Sequence, residues 1–420
     1  MIVAFGTYDA ARHPRVGILV AGLRAHGYRV DELNRPLGFS TAERVQMLRR
    51  PWRLPLLVLR LLTCWLALIR DDVGHRRAHG APDALLVGYL GHFDVVLARL
   101  LHPRTPVILD HLVFAADTAT DRGARGLRVR LLHGLDRLAL ASADVVVLDT
   151  DEHRELLPPS SRRRRASLNA SRQPPISGIQ RRSTARRAVV VPVGAPETWF
   201  PPPRRDTDRS VRYRGVESTE RYLGDEPVSR HGGDPEPLRV VFFGLFTPLQ
   251  GAVTIARAFA DALPRAAAQG RPITATLAGT GQDHAAARAA LADTPGITWH
   301  DWVEPDELPG LVAEHDVCLG ILGTTAKALR VIPNKVFQGL AAGCVVVTSD
   351  TPPQCRLLGD HLELVPPGDA AALADRLLTL TDPAALAAAR TRAHAGRDAV
   401  RPAAVVGPLL DALAARGIHP

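Results

Sequence analysis

Three cations, Lys327, Arg330 and Lys335, fall within a nine-residue stretch that also carries Pro333 followed by Asn334. Proline pushes the residue before it toward extended backbone, and asparagine is a favoured helix N-cap. A helix is therefore expected to start here with the positive end of its dipole open. Lysine and arginine side chains around such an end suit a phosphate-bearing ligand. The plainer reading is a basic cluster on a solvated helix. What favours a ligand is the placement, on a loop that leaves the end of an apolar strand with a capped helix behind it.

Two more loops in the same half follow apolar runs. One reads Phe243-Gly244-Leu245-Phe246-Thr247-Pro248-Leu249-Gln250-Gly251, the other Ala278-Gly279-Thr280-Gly281. A glycine directly after a strand lets the backbone approach a ligand, and the helix that follows offers free N–H groups to an anion. Each loop alone equally fits a tight turn. In the first half, Asp110 and His111 end the run 107–109, with Asp117, Asp121 and Arg122 beyond them; His92 and Asp94 follow Gly91. These border the end of a strand, where a substrate could be met, although Asp110 also suits a helix cap. No Gly-x-Ser-x-Gly elbow occurs, so a serine nucleophile has no support.

These side chains must be held by alternating strands and helices. The first half places short Val/Ile/Leu runs at 2–5, 28–33, 84–88, 106–109, 144–148 and 189–193, with helical patterns between, including 15–26. Continuous apolar runs imply a parallel sheet covered on both faces. The alternation restarts at 238, with strands expected at 239–243, 274–278, 297–301, 317–321 and 345–349. Helices are expected at 252–263, 284–291, 307–314, 334–342 and 370–380. The fold class is α/β, with two doubly wound domains whose strand ends face one crevice. The expected division is 1–200 for the first domain with a basic insertion at about 158–188, a linker at 201–237, a second domain at 238–400, and a C-terminal helix at 401–420.

The order of motifs from Val240 to Pro367 resembles the donor domain of GT-B glycosyltransferases of family 4. The motifs are Phe-Phe-Gly-Leu-Phe-Thr-Pro-Leu-Gln-Gly, Leu-Ala-Gly-Thr-Gly, His-Asp-Trp-Val-Glu-Pro-Asp-Glu-Leu-Pro, and the run from Ile332 through Asn334 and Gly343 to Pro352. The first half resembles that family by architecture only. The resemblance implies a sugar-nucleotide donor, with Gly244, Thr247, Gln250, Lys327, Arg330, Asn334 and Lys335 around the diphosphate. It further implies Gly279, Gly281, Trp302 and Val303 around the base and Gln338 at the ribose. Retention of anomeric configuration, with no cofactor and no metal, is also implied. Leu245 and Gln250 stand where the family has a cation pair, and Arg330 and Gln338 where it has paired glutamates. Lys327 and Arg330 are expected to replace the lost cations and stabilise the departing diphosphate, with Asp110 and His111 beside the acceptor.

The four cysteines form no CxxC pair, which points to a reduced cytoplasmic protein without structural zinc. The N-terminus lacks a basic n-region and reads as a first strand. The net charge of +9 is matched by nine arginines and no acid within 160–187. That stretch reads as a solvated, disordered insertion and not as a nucleic-acid-binding arm, because no aromatic residue interleaves with the arginines. Residues 47–70 are strongly apolar but carry Arg60 and Pro55, so a membrane span is not expected. The part from Trp52 to Ile69, with Trp52 and Trp65 as anchors, fits either a helix in an anionic membrane surface or a core helix. A lipid-linked acceptor would follow from the first. A GT-B sugar-nucleotide epimerase and a non-enzymatic nucleic-acid-binding protein are the alternatives.

Overall fold

A computed structural model describes residues 1–9, 13–38, 54–88, 91–112, 114–121, 125–157, 187–201 and 236–420. Residues 158–186 of the expected arginine-rich insertion, 202–235 of the expected linker, Trp52 and Arg122 lie outside these residues, whereas Arg187 and Ala188, placed in the insertion, begin a strand.

The first sheet is built from β1 (Ile2–Gly6), β2 (Val30–Asn34), β3 (Ala84–Val87), β4 (Val107–Asp110), β5 (Val145–Leu148) and β6 (Arg187–Val190). They lie in the order β2-β1-β3-β4-β5-β6 with every neighbouring pair parallel. The second comprises β7 (Leu238–Phe243), β8 (Ile273–Ala278), β9 (Ile297–His300), β10 (Val317–Leu319), β11 (Val345–Ser349) and β12 (Glu363–Val365). Its order is β12-β11-β10-β7-β8-β9, again all parallel. In β3, β4 and β5 all four residues are buried, which requires cover on both sheet faces. Strand order reverses between β1 and β3 and between β7 and β10, and ligands of open α/β sheets bind at such points.

Two strand positions differ from expectation. The run expected at 189–193 pairs only as Arg187–Val190, because Pro192 has no N–H for a ladder. β12 was not foreseen; three residues with a glutamate at their head give little apolar signal. Beyond β6 the chain crosses to the second domain, where Val193, Ala195 and Trp199 join a core with Val241, Phe243 and Phe337. It crosses back near residue 400, where Ala195 N donates to Val400 O over 2.9 Å. The expected single C-terminal helix is two short ones, Pro402–Val405 and Gly407–Ala414. Val405, Val406, Leu409 and Leu413 pack with Ile2, Leu19 and Leu23 in the core of the first domain.

The 26-residue helix Leu54–His79 buries Cys64, Leu68 and Asp72 at four-residue spacing against the first sheet. Its opposite stripe, Leu56, Leu59, Leu62 and Leu66, is 47–68% exposed. The membrane-surface reading makes Trp65 an interfacial anchor. Instead it packs inward, donating its indole N–H to Asp94 Oδ1 at 2.9 Å, since a partly buried indole needs an acceptor. Among the described residues no helix is long and apolar enough to cross a membrane.

Candidate functional site

At the reversal between β7 and β10, three loops meet through their backbones. Gly244, just after β7, and Gly279, just after β8, adopt φ of +120° and +124°. A Cβ on Gly279 would lie 2.0 Å from Gly244 O, and one on Gly251 would lie 2.5 Å from the Leu322 carbonyl carbon. Only glycine allows this approach. Backbone bonds fix the arrangement: Gly244 N to Ala278 O (2.9 Å), Phe246 N to Thr280 O (3.0 Å) and Leu322 N to Gln250 O (3.0 Å). Thr247 and Gln250 sit on the first loop, Gly281 on the second; the Gln250 Oε1 is buried with no hydrogen-bond partner among the described residues.

The helix Asn334–Ala342 starts behind these loops. Asn334 is its first helical residue and not its cap: Pro333 occupies the capping position with extended ψ, and no side chain caps the helix. Gly339 brings the helix tightly onto β10, since a Cβ there would lie 2.9 Å from Cys318. Lys335 therefore enters the interior. Its ammonium lies 3.9 Å from the Phe242 ring centroid, and a Cβ on Gly244 would sit 3.4 Å from it. The Nζ has no hydrogen-bond partner among the described residues. Burial holds Lys335 down to about 7, and the same burial pushes the Cys318 thiol beside it up to about 12. A buried ammonium without an acceptor is costly unless an anion arrives. Gln338, partly exposed, lies on the next turn of the same helix.

Lys327 heads a short 3-10 turn, Ala328–Arg330. Arg330, expected at the diphosphate, is turned toward the first domain: its Nη2 lies 3.1 and 3.3 Å from the two Asp117 carboxylate oxygens. Thr150 Oγ1 donates to Arg330 O at 2.9 Å, and Arg356 forms a forked pair with Glu152 at 3.1 and 2.8 Å. These contacts bridge the domains. Trp302 is 70% exposed and Val303 half-buried; with Glu304, Glu307 and Glu314 they line a cavity of about 490 Å³. Three carboxylates make that cavity a poor host for phosphate. The anion is better met at Lys335.

On the first domain, Asp110 does not border the crevice as a free acid. Its Oδ1 accepts from Arg15 Nε at 3.2 Å, both side chains are buried, and Arg15 also donates to the carbonyls of Val191 and Pro192. Burial holds the Asp110 carboxyl above the usual range despite the guanidinium. His111 is 1% exposed and is held down to about 3 by burial and by neighbouring His92. Asp94 is turned inward to Thr7, accepting from its N–H and its hydroxyl at 2.8 Å.

Several positioning residues escape a sequence reading. Asp136, midway along the helix Leu127–Ser142, lies 3.1 Å from His92 Nε2. Asp149 meets His153 Nδ1 at 2.5 Å, and Thr150 caps the helix Asp151–Glu155 by accepting from His153 N. Thr150 was findable, as a threonine just before two acids. Thr348, Ser349 and Gln354 form a buried network that holds the loop after β10, with Ser349 Oγ donating to Ile321 O at 2.6 Å.

Residues 237–382 match the family described as Glycosyl transferases group 1. A search of curated proteins finds no match. Among solved structures, sucrose-phosphate synthase from Thermosynechococcus elongatus superposes with a TM-score of 0.60 at 15% identity, over 99% of each chain. Anabaena HepE in complex with UDP-glucose gives 0.58 at 14%, over 99% of this chain and 98% of that one. The pneumococcal O-GlcNAc transferase GtfA in complex with UDP and GlcNAc gives 0.50 at 12%, over 83% and 60%. The two parallel sheets share the two-domain GT-B architecture of these structures, and the match to the group 1 family model is confined to the second domain.

Proposed function

We propose that this protein is a glycosyltransferase that moves a hexose or related sugar from a nucleoside-diphosphate donor to an acceptor. The observation that carries the reading is the buried Lys335 ammonium, without a hydrogen-bond partner among the described residues and set against the Gly244 loop at the β7/β10 reversal. It lies within the segment that matches the group 1 family. A diphosphate placed on that loop would meet the ammonium and the N-terminus of the helix Asn334–Ala342, and both would stabilise the charge that gathers as the sugar departs. Lys327 supplies a second cation, and Gln250 offers its amide to the same loop. Gln338 hydrogen-bonds the ribose through an amide where the family uses a carboxylate. HepE and GtfA are held with UDP in their structures, so UDP-sugars are the first donors to try. Retention of configuration is the outcome in keeping with the family 4 resemblance.

The acceptor is lipid-linked in this reading, and the protein works at the inner face of the membrane. The support is the exposed stripe Leu56, Leu59, Leu62 and Leu66, with Arg60 and Arg70 on the same helix and exposed Leu127 and Leu131 on a second helix of that layer. An apolar stripe beside cations suits an anionic bilayer surface.

Thermal-shift titration with a panel of nucleotide sugars tests the donor site, because a ligand that binds the folded state raises its stability. Stabilisation by at least one nucleotide sugar, and its loss in Lys335→Met, is the expected result. Donor turnover without any acceptor, yielding an epimer, would replace transfer by epimerisation.

A further inference from the structure

We propose that His92, His111 and Asp136 form a zinc site within the first domain, separate from the donor loops. The three side chains come from separate elements: His92 from the turn before the helix Asp94–Leu101, His111 from the end of β4, and Asp136 from the helix Leu127–Ser142. One ligand atom from each lies within 4.8 Å of the other two, and the residues are 7%, 1% and 4% exposed.

Two observations point to a missing ligand. Both ring nitrogens of His111 are buried without a hydrogen-bond partner among the described residues. Leaving a buried donor or acceptor unmet costs about 1–3 kcal/mol each. A His92–Asp136 pair, at 3.1 Å, does not relieve that cost. The second observation is the way Asp136 is held. Its Oδ1 accepts from Ala115 N at 3.0 Å and its Oδ2 from Ala116 N at 3.1 Å, the outer bonding that aims a metal-binding carboxylate.

Two imidazoles and a carboxylate, with no thiolate among them, match the nitrogen and oxygen ligands of zinc. Bond lengths of about 2.0–2.2 Å place two ligand atoms of a tetrahedral zinc roughly 3.3 Å apart, a spacing that His92 Nε2 and Asp136 Oδ1 already have at 3.1 Å, so the adjustment falls on His111. Water fills the fourth position. The metal would tie the end of β4 to the start of the helix Ala115–Asp121, and that helix carries Asp117, the partner of Arg330. Zinc would thus set the register of the domain contact from inside the first domain, in contrast to the metal-free expectation from sequence.

The test is zinc binding by the full chain after treatment with a chelator, followed by competition with a colorimetric indicator. Binding of about one zinc per chain, lowered at least roughly tenfold in His92→Gln and in His111→Gln, is expected. No zinc bound by the wild-type chain, or undiminished binding in both variants, overturns the site. Should the variants fail to fold, X-ray absorption of the zinc-loaded wild-type chain decides. Two imidazoles with oxygen scatterers support the site, whereas sulfur ligation or a different imidazole count overturns it. A water bridging His111 in a high-resolution crystal structure grown with zinc also overturns it.

Discussion

The ammonium of Lys335 lies 3.9 Å from the ring centroid of Phe242, in an apolar seat that offers it no hydrogen-bond acceptor among the described residues. This arrangement trades stability for binding. Replacing Lys335 by methionine removes a buried charge while keeping the stem, so the ligand-free protein should gain about 1–4 kcal/mol and melt higher. Donor affinity should fall by at least roughly tenfold, as for loss of a charge-assisted contact. Differential scanning calorimetry paired with donor titration reads both effects, and opposite signs are expected.

The same lysine gives a pH dependence with a fixed sign. Burial lowers it to about 7 from an ordinary 10.5. Between those values the unfolded chain carries a proton that the folded ligand-free chain has shed, so stability from this group rises with pH across that window. Diphosphate binding runs the other way. Only the charged form attracts the anion, so affinity should fall as pH climbs above about 7, with proton uptake on binding. Calorimetric titration in buffers of different ionisation enthalpy measures that uptake, which Lys335→Met should abolish.

Gly279→Ala places a methyl group where Gly244 O already stands. The loops must part, and the expected cost is about 1–3 kcal/mol of stability. Donor binding should be lost even at temperatures where the protein stays folded. Circular dichroism and donor titration on one sample separate the two effects.

Arg330 and Asp117 join the domains, both partly exposed, so the pair is worth less than about 1 kcal/mol of stability. Asp117→Ala leaves Arg330 available to turn toward the crevice. If Arg330 serves the diphosphate, donor affinity in Asp117→Ala should hold or rise and that in Arg330→Ala should drop. Equal loss in both would assign the pair to domain closure alone. Lys327→Ala together with Arg330→Ala, leaving donor affinity unchanged, would remove both from the donor site.

Glutamates at Leu59, Leu62 and Leu66 change an exposed stripe without touching the buried Cys64 and Leu68. The wild-type chain should float with anionic vesicles and the triple variant should not, while soluble donor binding stays level. Absence of flotation by the wild-type chain sinks the membrane reading.

The alternation of apolar runs and helical patterns placed every strand of the two sheets except β12, because strands buried on both faces leave continuous Val/Ile/Leu signals and a three-residue strand headed by a glutamate does not. Gly244, Gly279 and the 327–335 run stood out for a local reason, glycine after a strand and cations before a helix. Asp110 and His111 were visible as polar residues at a strand end, but nothing local told that Arg15 approaches Asp110 from 95 residues away. Asp136 was hidden more deeply. An aspartate on a helical turn looks solvated until the fold sets it against His92 and two backbone amides. The inward turn of Lys335 likewise depends on how closely Gly339 lets its helix approach β10.

The crossing near residues 195 and 400 means that the two cores are not two separable lengths of chain. Val405, Leu409 and Leu413 complete the first domain from near residue 410, and Trp199 completes the second from just beyond β6. A cut within residues 202–235 would leave the N-terminal piece with an open groove in its core and the C-terminal piece carrying the plug. Two such pieces, made separately, should each aggregate, yet reassemble when folded together.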